Sequence, residues 1–233
     1  MSESDCMKPR TVGWTMENEQ LPEKPERDPD GSLDFHHLWR TFQGEGPRVG
    51  TPAVFVRLAG CNLQCSWCDT DYTSSRRRLT VDELLNRIWS IGFPRDLIVL
   101  TGGEPFRQNL TPLVEALLQA GRVIQVETNG TLFLTGFPYN QVEVVCSPKT
   151  AGVNPHLAPH VKAWKYVLSV DNRADDGLPK GVARPLSPGE VFVQPMDEQN
   201  SQKNQANLST AMESCLRFGY RLSVQVHKII GVE

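Results

Sequence analysis

No apolar run in the 233-residue sequence approaches the roughly 18 residues that a membrane-spanning helix requires. Residues 1–8 also lack the basic start and apolar stretch of a targeting peptide. Neither sign of charge is in large excess, since 24 Lys and Arg face 27 Asp and Glu, which argues against a surface that wraps nucleic acid. Hydrophobic residues, at 39% of the chain, are sufficient for a buried core. We therefore predict a cytoplasmic globular protein without membrane or nucleic-acid partners.

Cysteines are few, and they are not spaced as a disulfide framework would be. Three of the six fall within eight residues, whereas the other three stand alone and are assigned no role. In a reducing compartment, crowded thiols indicate a metal site. The crowded cysteines are Cys61, Cys65 and Cys68, and the solitary ones are Cys6, Cys146 and Cys215.

Hydrophobic periodicity is absent from the first 33 residues, where prolines alternate with charged residues between positions 21 and 31. Such a segment buries too little apolar surface to offset the entropy of ordering it. We predict a flexible polar tail over residues 1–33 and a single domain over residues 34–233.

The rest of the chain alternates short apolar runs with segments of helical period. A Thr-x-x-Glu capping box at Thr80 predicts the start of one helix, and a Thr111 cap followed by proline predicts a second. A third helix is predicted over residues 206–218. The predicted fold class is α/β, an incomplete, open β/α barrel of about six parallel strands with crossover helices. The runs predicted as strands are residues 53–58, 97–100, 123–126, 142–145, 164–168, 191–193 and 222–226.

Polar motifs follow several of these strands. Because chemistry on a parallel sheet collects at the carboxyl ends of the strands, we expect the motifs to meet at one edge. They are Thr-Gly-Gly-Glu-Pro at 101–105, Glu-Thr-Asn-Gly at 127–130, Ser-Pro-Lys at 147–149, Gln-Pro at 194–195, and His227.

The cysteine cluster directly follows the first of the predicted strands. Three thiolates leave a tetrahedral zinc site one ligand short, and no second Cys or His pair completes it. A [4Fe-4S] cluster with one uncoordinated iron fits better, because that iron can bind a substrate. The C-x3-C-x2-C spacing, with Trp67 before the last cysteine and Gly-Gly-Glu-Pro after the next strand, resembles the radical S-adenosylmethionine family. The alternative is a non-enzymatic zinc-binding module, which predicts a colourless protein.

The resemblance implies that S-adenosylmethionine binds the open iron and that electron transfer from the cluster cleaves it to methionine and a 5′-deoxyadenosyl radical. Gly102 and Gly103 would let the backbone approach the methionine moiety, and Glu104 would accept from its ammonium. A strand-to-helix turn is the alternative explanation of the glycine pair. The implied cofactor-binding residues are Trp67, Gly102, Gly103, Glu104, Asn129, Ser147, Lys149 and Gln194.

A narrower resemblance rests on Phe-Gln-Gly-Glu-Gly at residues 42–46, followed by residues 52–61 and by Cys-Asp-Thr at 68–70. With the strand-end motifs, these segments resemble the 7-carboxy-7-deazaguanine synthase family from about Leu38 to the last residue. The resemblance implies conversion of 6-carboxy-5,6,7,8-tetrahydropterin to 7-carboxy-7-deazaguanine with loss of ammonia, a step in queuosine and deazapurine biosynthesis. It also implies Mg²⁺, a reductase or flavodoxin-type electron donor and a homodimer.

The chemistry of individual residues agrees with the substrate roles that this resemblance implies. Gln43 can read the pterin edge with a paired donor and acceptor, and Glu45 can read it as an acceptor. Arg57 can hold a carboxylate bidentately, although a salt-bridged strand-end arginine is the alternative. The hydroxyl of Thr70 would be an oxygen ligand of Mg²⁺, and Asp69 beside it would be a further acceptor. A capping hydroxyl is the alternative role of Thr70. The implied substrate-binding residues are Phe42, Gln43, Gly44, Glu45, Arg57, Thr101, His227 and Glu233.

The chain terminus is expected to reach the same site. Residues 224–228 are predicted to end the last strand, and a turn at Gly231 would bring the α-carboxylate of Glu233 to the substrate beside His227. A frayed end is the alternative. A glycyl-radical activating enzyme is the rival radical function, because it shares the cysteine spacing, but the pair of pterin-reading side chains before the first strand argues against it.

Overall fold

The computed structural model describes residues 18–68 and 70–232. In these residues, no helix is long and apolar enough to cross a membrane. The helices are α1 (Val81–Ile91), α2 (Thr111–Gln119), α3 (Ser201–Phe218) and α4 (Val226–Ile230). The strands are β1 (Leu33–Phe42), β2 (Pro52–Leu58), β3 (Arg77–Leu79), β4 (Leu97–Gly102), β5 (Ile124–Thr128), β6 (Glu143–Cys146), β7 (Val161–Leu168), β8 (Glu190–Pro195) and β9 (Arg221–Leu222).

All nine strands belong to one sheet, in the order β3-β1-β2-β4-β5-β6-β7-β8-β9. β1 is antiparallel to β2 and to β3, and every other neighbouring pair is parallel. Over the described residues, the edge strands β3 and β9 do not pair with each other, so the barrel is open. The predicted open β/α barrel is confirmed, with seven parallel strands where about six were expected.

One face of the parallel sheet packs against the helices. Val54, Val56 and Leu58 of β2 are fully buried in the main core, together with Leu84 and Ile88 of α1. Because side chains alternate across a strand, the intervening residues of β2 point to the opposite face. That opposite face forms the inside of the barrel.

The inside of the barrel is apolar near the amino ends of the strands and polar near their carboxyl ends. Ala53, Leu97 and Val99 form a small buried cluster at the apolar end. Further along the same face, Arg57 on β2 lies opposite Thr101 on β4. The fold therefore collects polar side chains at one end of the sheet. Later strands add Gln125, Glu127, Lys165 and Gln194.

Two strands and one helix differ from the sequence prediction. β1 and β3 were missed, because His, Arg and Asp interrupt their apolar residues. The strand predicted over residues 222–226 is wrong beyond Leu222, since α4 begins at Val226. His227 consequently lies on a short helix and not at a strand end.

The predicted helix starts are correct in one case of three. α1 begins at the predicted Thr80 capping box. The predicted Thr111 cap is wrong, because Thr111 is the first residue of α2 and Leu110 precedes it without a side-chain capping bond. α3 starts at Ser201, before the predicted residue 206, because Asn200 accepts hydrogen bonds from two N–H groups of its first turn.

Residues 18–33 pack on the domain and are not a loosely held tail. The N–H of Glu23 donates to the carbonyl of Cys61 at 2.7 Å, and the N–H of Glu26 donates to the carbonyl of Arg107 at 2.9 Å. Leu33 is fully buried and begins β1. These long-range contacts offset an entropy cost that the composition alone does not. Residues 1–17 lie outside the described residues, and the domain boundary stays a prediction.

Replacing Thr80 with Ala should lower the free energy of unfolding by about 1 kcal/mol, because α1 loses its cap. The Thr80 hydroxyl accepts from the N–H of Glu83 at 3.3 Å, and the Glu83 carboxylate accepts from the N–H of Thr80 at 2.8 Å. Urea denaturation measures the loss. Asn86→Ala, at an exposed position of the same helix, is the control, and an equal loss in both variants would contradict the prediction.

Candidate active site

A cavity of about 1020 Å³ opens at the carboxyl ends of the parallel strands. Apart from Glu104, every described residue that the sequence predicted for the site lines it. Asp69 and Glu233 lie outside the described residues. The roles of the individual residues stay predictions, but the structure brings them to one cavity. The lining residues among them are Phe42, Gln43, Gly44, Glu45, Arg57, Cys61, Cys65, Trp67, Cys68, Thr70, Thr101, Gly102, Gly103, Asn129, Ser147, Lys149, Gln194 and His227.

The three clustered cysteines lie on a loop that follows β2. Cys61 is buried, and Cys65 and Cys68 are half-buried, with the N–H of Cys68 donating to the carbonyl of Cys65 at 3.1 Å. Burial raises the pKa of the Cys61 thiol to about 12, so the thiol must lose its proton when it binds a metal.

A single zinc ion and an iron–sulfur cluster require different arrangements of three thiolates. Three thiolates on one zinc ion would have sulfurs about 3.8 Å apart, given Zn–S bonds of about 2.3 Å. In the part of the chain that the structure describes, no three His, Cys, Asp or Glu side chains are grouped to hold a single metal ion. A [4Fe-4S] cluster does not require the three sulfurs to converge on one ion, because each thiolate binds its own iron.

The two glycines at the end of β4, Gly102 in the strand and Gly103 after it, are required by the protein backbone. A Cβ on Gly102 would lie 2.2 Å from the carbonyl oxygen of Leu58, and Gly102 has a φ of +142°. A Cβ on Gly103 would lie 2.2 Å from the carbonyl oxygen of Gly60. The glycine pair therefore lets the end of β4 approach the start of the cysteine loop, which supports the turn explanation. Contact with methionine stays a prediction.

Glu104 joins the turn after β4 to the end of β5. Its fully buried carboxylate accepts from the N–H of Asn129 at 2.7 Å, the hydroxyl of Thr128 at 2.8 Å and the N–H of Phe106 at 3.0 Å. Burial raises the pKa of Glu104 to about 7 despite these hydrogen bonds. The carboxylate therefore fixes two loops beside the cavity, and its predicted bond to a cofactor ammonium is untested.

A cation lies beside the cysteine loop. The Lys149 ammonium donates to the hydroxyl of Ser147 at 2.5 Å and stands 5.0 Å from the centre of the Trp67 ring. Asn129 lies nearby and donates to the side-chain oxygen of Asn62 at 3.0 Å. The predicted cofactor residues from three separate segments thus surround the loop, and the ammonium makes this end of the cavity suited to an anionic group.

Glu45 is the centre of a hydrogen-bonded network on the other side of the cavity. Its carboxylate forms an ion pair with the ammonium of Lys165 and accepts from the amides of Gln225 at 2.9 Å and Gln194 at 3.1 Å. Burial raises the pKa of Glu45, but the positive charge of Lys165 outweighs this effect and holds the pKa at about 2. Glu45 is therefore ionised at neutral pH, with one lone-pair position left for a ligand.

Gln43 has a structural role that the sequence did not reveal. Its side-chain nitrogen donates to Gln125 at 2.5 Å and to Glu127 at 3.2 Å, and its oxygen accepts from the N–H of Glu45 at 3.1 Å. Both ends of the amide are therefore used within the protein. Reading of a pterin edge by Gln43 stays a prediction that requires these bonds to be shared or exchanged.

Arg57 lies on an aromatic surface. Its guanidinium carbon stands 4.6 Å from the centre of the Trp39 ring, which stacks on Phe55 with 5.0 Å between ring centres. This stacking fixes the plane of the guanidinium, as bidentate binding of a carboxylate requires. On β4, the hydroxyl of Thr101 donates to Glu127 at 3.1 Å.

His227 packs on Gly44 from α4. A Cβ on Gly44 would lie 2.0 Å from the Nδ1 atom of the His227 ring, so the glycine is required for this packing. The carbonyl of Gly44 also accepts from the N–H of Val226 at 3.0 Å. Both predicted residues line the cavity, although the histidine reaches it from a helix.

Sequence analysis assigned no site role to Lys165, Gln125 or Gln225, and it named Glu127 only as part of a strand-end motif. All four line the cavity or bond to residues that do. A signal was available for two of them, because Glu127 and Lys165 place a charge next to the buried apolar residues of β5 and β7. A charge on a buried strand needs a partner, so it indicates a polar cavity on that face.

The fold and the cysteine loop define a class of protein. The profile of the Radical SAM superfamily matches residues 55–164, which run from β2 through the cysteine loop into β7. An open β/α barrel with C-x3-C-x2-C at the mouth of its cavity is the architecture of this superfamily, so the chain is a radical S-adenosylmethionine protein.

Individual relatives narrow the class. The chain is 46% identical to the 7-carboxy-7-deazaguanine synthase of Rhodospirillum rubrum, with 89% of this chain and 97% of that protein covered. It is 36% identical to the protein of the same name from Rickettsia prowazekii, with 88% and 91% covered. The crystal structure of QueE from Escherichia coli matches with a TM-score of 0.65 and 25% identity, over 84% of this chain and 95% of that one. The chain belongs to the 7-carboxy-7-deazaguanine synthase family.

Replacing Lys165 with Met should lower the free energy of unfolding at pH 7 by about 3 kcal/mol, because Glu45 is left ionised and buried without its partner. Adding Glu45→Gln to this variant should restore much of the loss, since the buried charge of Glu45 is removed. Glu127, which lies 3.9 Å from the Lys165 ammonium in the wild type, keeps its hydrogen bonds from Gln43 and Thr101. Urea denaturation of the three proteins measures both changes, and a double variant as unstable as Lys165→Met would contradict the pairing.

The ion pair between Glu45 and Lys165 also predicts that the free energy of unfolding depends on pH. Because the folded pKa of Glu45, about 2, lies below its ordinary value of 4.5, the stabilisation is complete above pH 4.5 and is lost as the pH falls through 2. The stability difference between the wild type and Glu45→Gln should therefore narrow between pH 5 and about pH 2. A difference that is constant over this range would contradict the assigned pKa.

Proposed function

We propose that the chain is a radical S-adenosylmethionine lyase that converts 6-carboxy-5,6,7,8-tetrahydropterin to 7-carboxy-7-deazaguanine with loss of ammonia. The observation that carries the proposal is one cavity with two chemically different sides. The thiols of the cysteine loop and the ammonium of Lys149 line one part of it, and the carboxylate of Glu45 and the guanidinium of Arg57 also line it. Family membership points to the same reaction.

The cysteine side fits a cluster and S-adenosylmethionine. Cys61, Cys65 and Cys68 would each bind one iron, and the fourth iron would bind the amino acid part of the cofactor. The side-chain oxygen of Gln194 is buried in the cavity wall without a hydrogen-bond donor, so it can accept from a bound molecule. Bound together, cluster and cofactor supply radical chemistry, while the enclosing side chains exclude water.

The opposite side fits an amino-pyrimidine ring that carries a carboxylate. Glu45 is ionised and can accept from ring N–H groups, and Arg57 can bind the carboxylate through two parallel hydrogen bonds. Thr101 completes this side of the cavity beside Glu127. We expect the pterin to lie between the two residues, with its reacting carbon toward the cysteine loop.

Three further expectations belong to this proposal. Mg²⁺ would bind between the hydroxyl of Thr70 and substrate oxygens, with water at its remaining positions. A reductase or flavodoxin-type protein would supply electrons, and the active protein would be a homodimer in the cytoplasm. A glycyl-radical activating enzyme is the alternative, but its protein substrate would not need a carboxylate-binding Arg57 in the same cavity as Glu45.

Cys65→Ala should abolish both the brown colour of the reconstituted protein and turnover of 6-carboxytetrahydropterin, because one iron loses its ligand. Iron analysis, visible absorption and product formation under anaerobic conditions measure these effects. Cys215→Ala, at a buried cysteine of α3, is the control and should keep the iron. A full complement of four irons with turnover in Cys65→Ala would disprove the cluster assignment.

Arg57→Lys should raise the KM for the pterin about tenfold or more, because a single ammonium replaces a bidentate, charge-assisted contact. Iron content should not change. Arg87→Lys, at an exposed arginine of the cavity mouth, is the matched control. Equal KM values for the two variants would show that Arg57 does not bind the substrate carboxylate.

A further inference from the structure

Residues 18–28, here called the strap, lie across the cysteine loop. The side-chain nitrogen of Asn18 donates to the carbonyl of Cys65 at 3.1 Å. The side-chain nitrogen of Gln20 donates to the carbonyl of Thr70 at 2.9 Å. With the bond from the N–H of Glu23 to Cys61, at 2.7 Å, the strap reaches the loop at its beginning, middle and end.

The loop depends on such external donors. Residues 59–76, between β2 and β3, form no helix or strand in their described part. Backbone carbonyls that are not paired in secondary structure need donors from elsewhere or from water. The strap therefore supplies part of the hydrogen bonding that regular structure would supply in a helix or strand.

Gln20 makes the most connected of these contacts. Besides donating to Thr70, its side-chain oxygen accepts from the N–H of Tyr72 at 2.9 Å and from the hydroxyl of Thr73 at 3.2 Å. The side-chain oxygen of Asn18 accepts from both nitrogens of Gln20 at 3.0 Å, which fixes the orientation of the amide. One amide thus holds the backbone on both sides of residue 71.

A buried arginine ties the strap to the same loop. Arg107 is 1% exposed and forms an ion pair with Glu23 at 3.3 Å. Its guanidinium also donates to the carbonyl of Lys24 at 3.2 Å and to that of Ala59 at 3.1 Å. The strap and the residue that begins the loop are therefore bound to one rigid group.

We propose that the strap is a positioning element for the cysteine loop, and that Gln20 is its principal positioning residue. By fixing the carbonyl of Thr70 and the N–H of Tyr72, Gln20 keeps the end of the loop in one conformation after the last cysteine. This inference rests on the proposed function only in so far as the loop binds iron; the hold on the backbone is independent of it.

The test compares Gln20→Ala with Leu21→Ala in the full chain. Leu21 is the adjacent strap residue, is 73% exposed and serves as the matched control. Hydrogen exchange of the Tyr72 amide, measured before iron is added, should be at least about tenfold faster in Gln20→Ala, because a buried amide loses its acceptor. After reconstitution, a chelator should remove iron several-fold faster from the same variant.

A third variant separates the two bonds of the amide. Gln20→Glu can still accept from the N–H of Tyr72 but cannot donate to the carbonyl of Thr70. It should keep the slow exchange at Tyr72 and should lose iron faster than Leu21→Ala. Unchanged exchange of the Tyr72 amide in Gln20→Ala would disprove that Gln20 positions the loop. Faster exchange with an unchanged rate of iron loss would disprove that this positioning matters for iron binding. A chain that binds no iron would contradict the proposed function, while the exchange result would still decide the strap.

Discussion

The ion pair between Glu45 and Lys165 connects elements of the open barrel that are far apart in the sheet. Glu45 follows β1, whereas Lys165 lies on β7 and two further partners, Gln194 and Gln225, lie on β8 and before α4. The pair thus joins the first strand of the domain to the last elements of the sheet across the cavity. Lys165 makes the largest contribution to keeping the buried carboxylate ionised, and the hydrogen bond from Gln225 acts in the same direction.

The two sides of the cavity follow from this arrangement. The ion pair fixes one wall, and the end of β4 fixes the other, because Gly102 and Gly103 approach the backbone that leads into the cysteines. The cavity is lined by two cations, Lys149 beside the Trp67 ring and Arg57 over the Trp39 ring. A cofactor with a carboxylate and a substrate with a carboxylate match these two positions, which is how the geometry supports the reaction expected for the family.

The open barrel and the cysteine site were predictable from the sequence, because the parallel strands are apolar runs and the cysteine spacing is specific. The hydrogen-bonded network around Lys165 was not predictable. The role of a charge inside a buried strand depends on which partners the neighbouring strands bring to it, and a single strand does not show these. β1 was not predicted because Asp34, two histidines and Arg40 interrupt its apolar residues. The strand predicted over residues 222–226 ran into the first residue of α4, because Leu222, Val224 and Val226 alternate with polar residues as in a strand. The packing of the strap was not predicted because it depends on long-range hydrogen bonds, and these cannot be inferred from the amino-acid composition of residues 18–28.

The most direct test of the account is the electron paramagnetic resonance spectrum of the reduced, reconstituted protein before and after addition of S-adenosylmethionine. Three cysteine ligands leave one iron open, so the cofactor should bind to it and change the spectrum. The account predicts a signal of a reduced [4Fe-4S] cluster that shifts when the cofactor is added. A protein that contains zinc and gives no signal, or a cluster signal that the cofactor leaves unchanged, would contradict it.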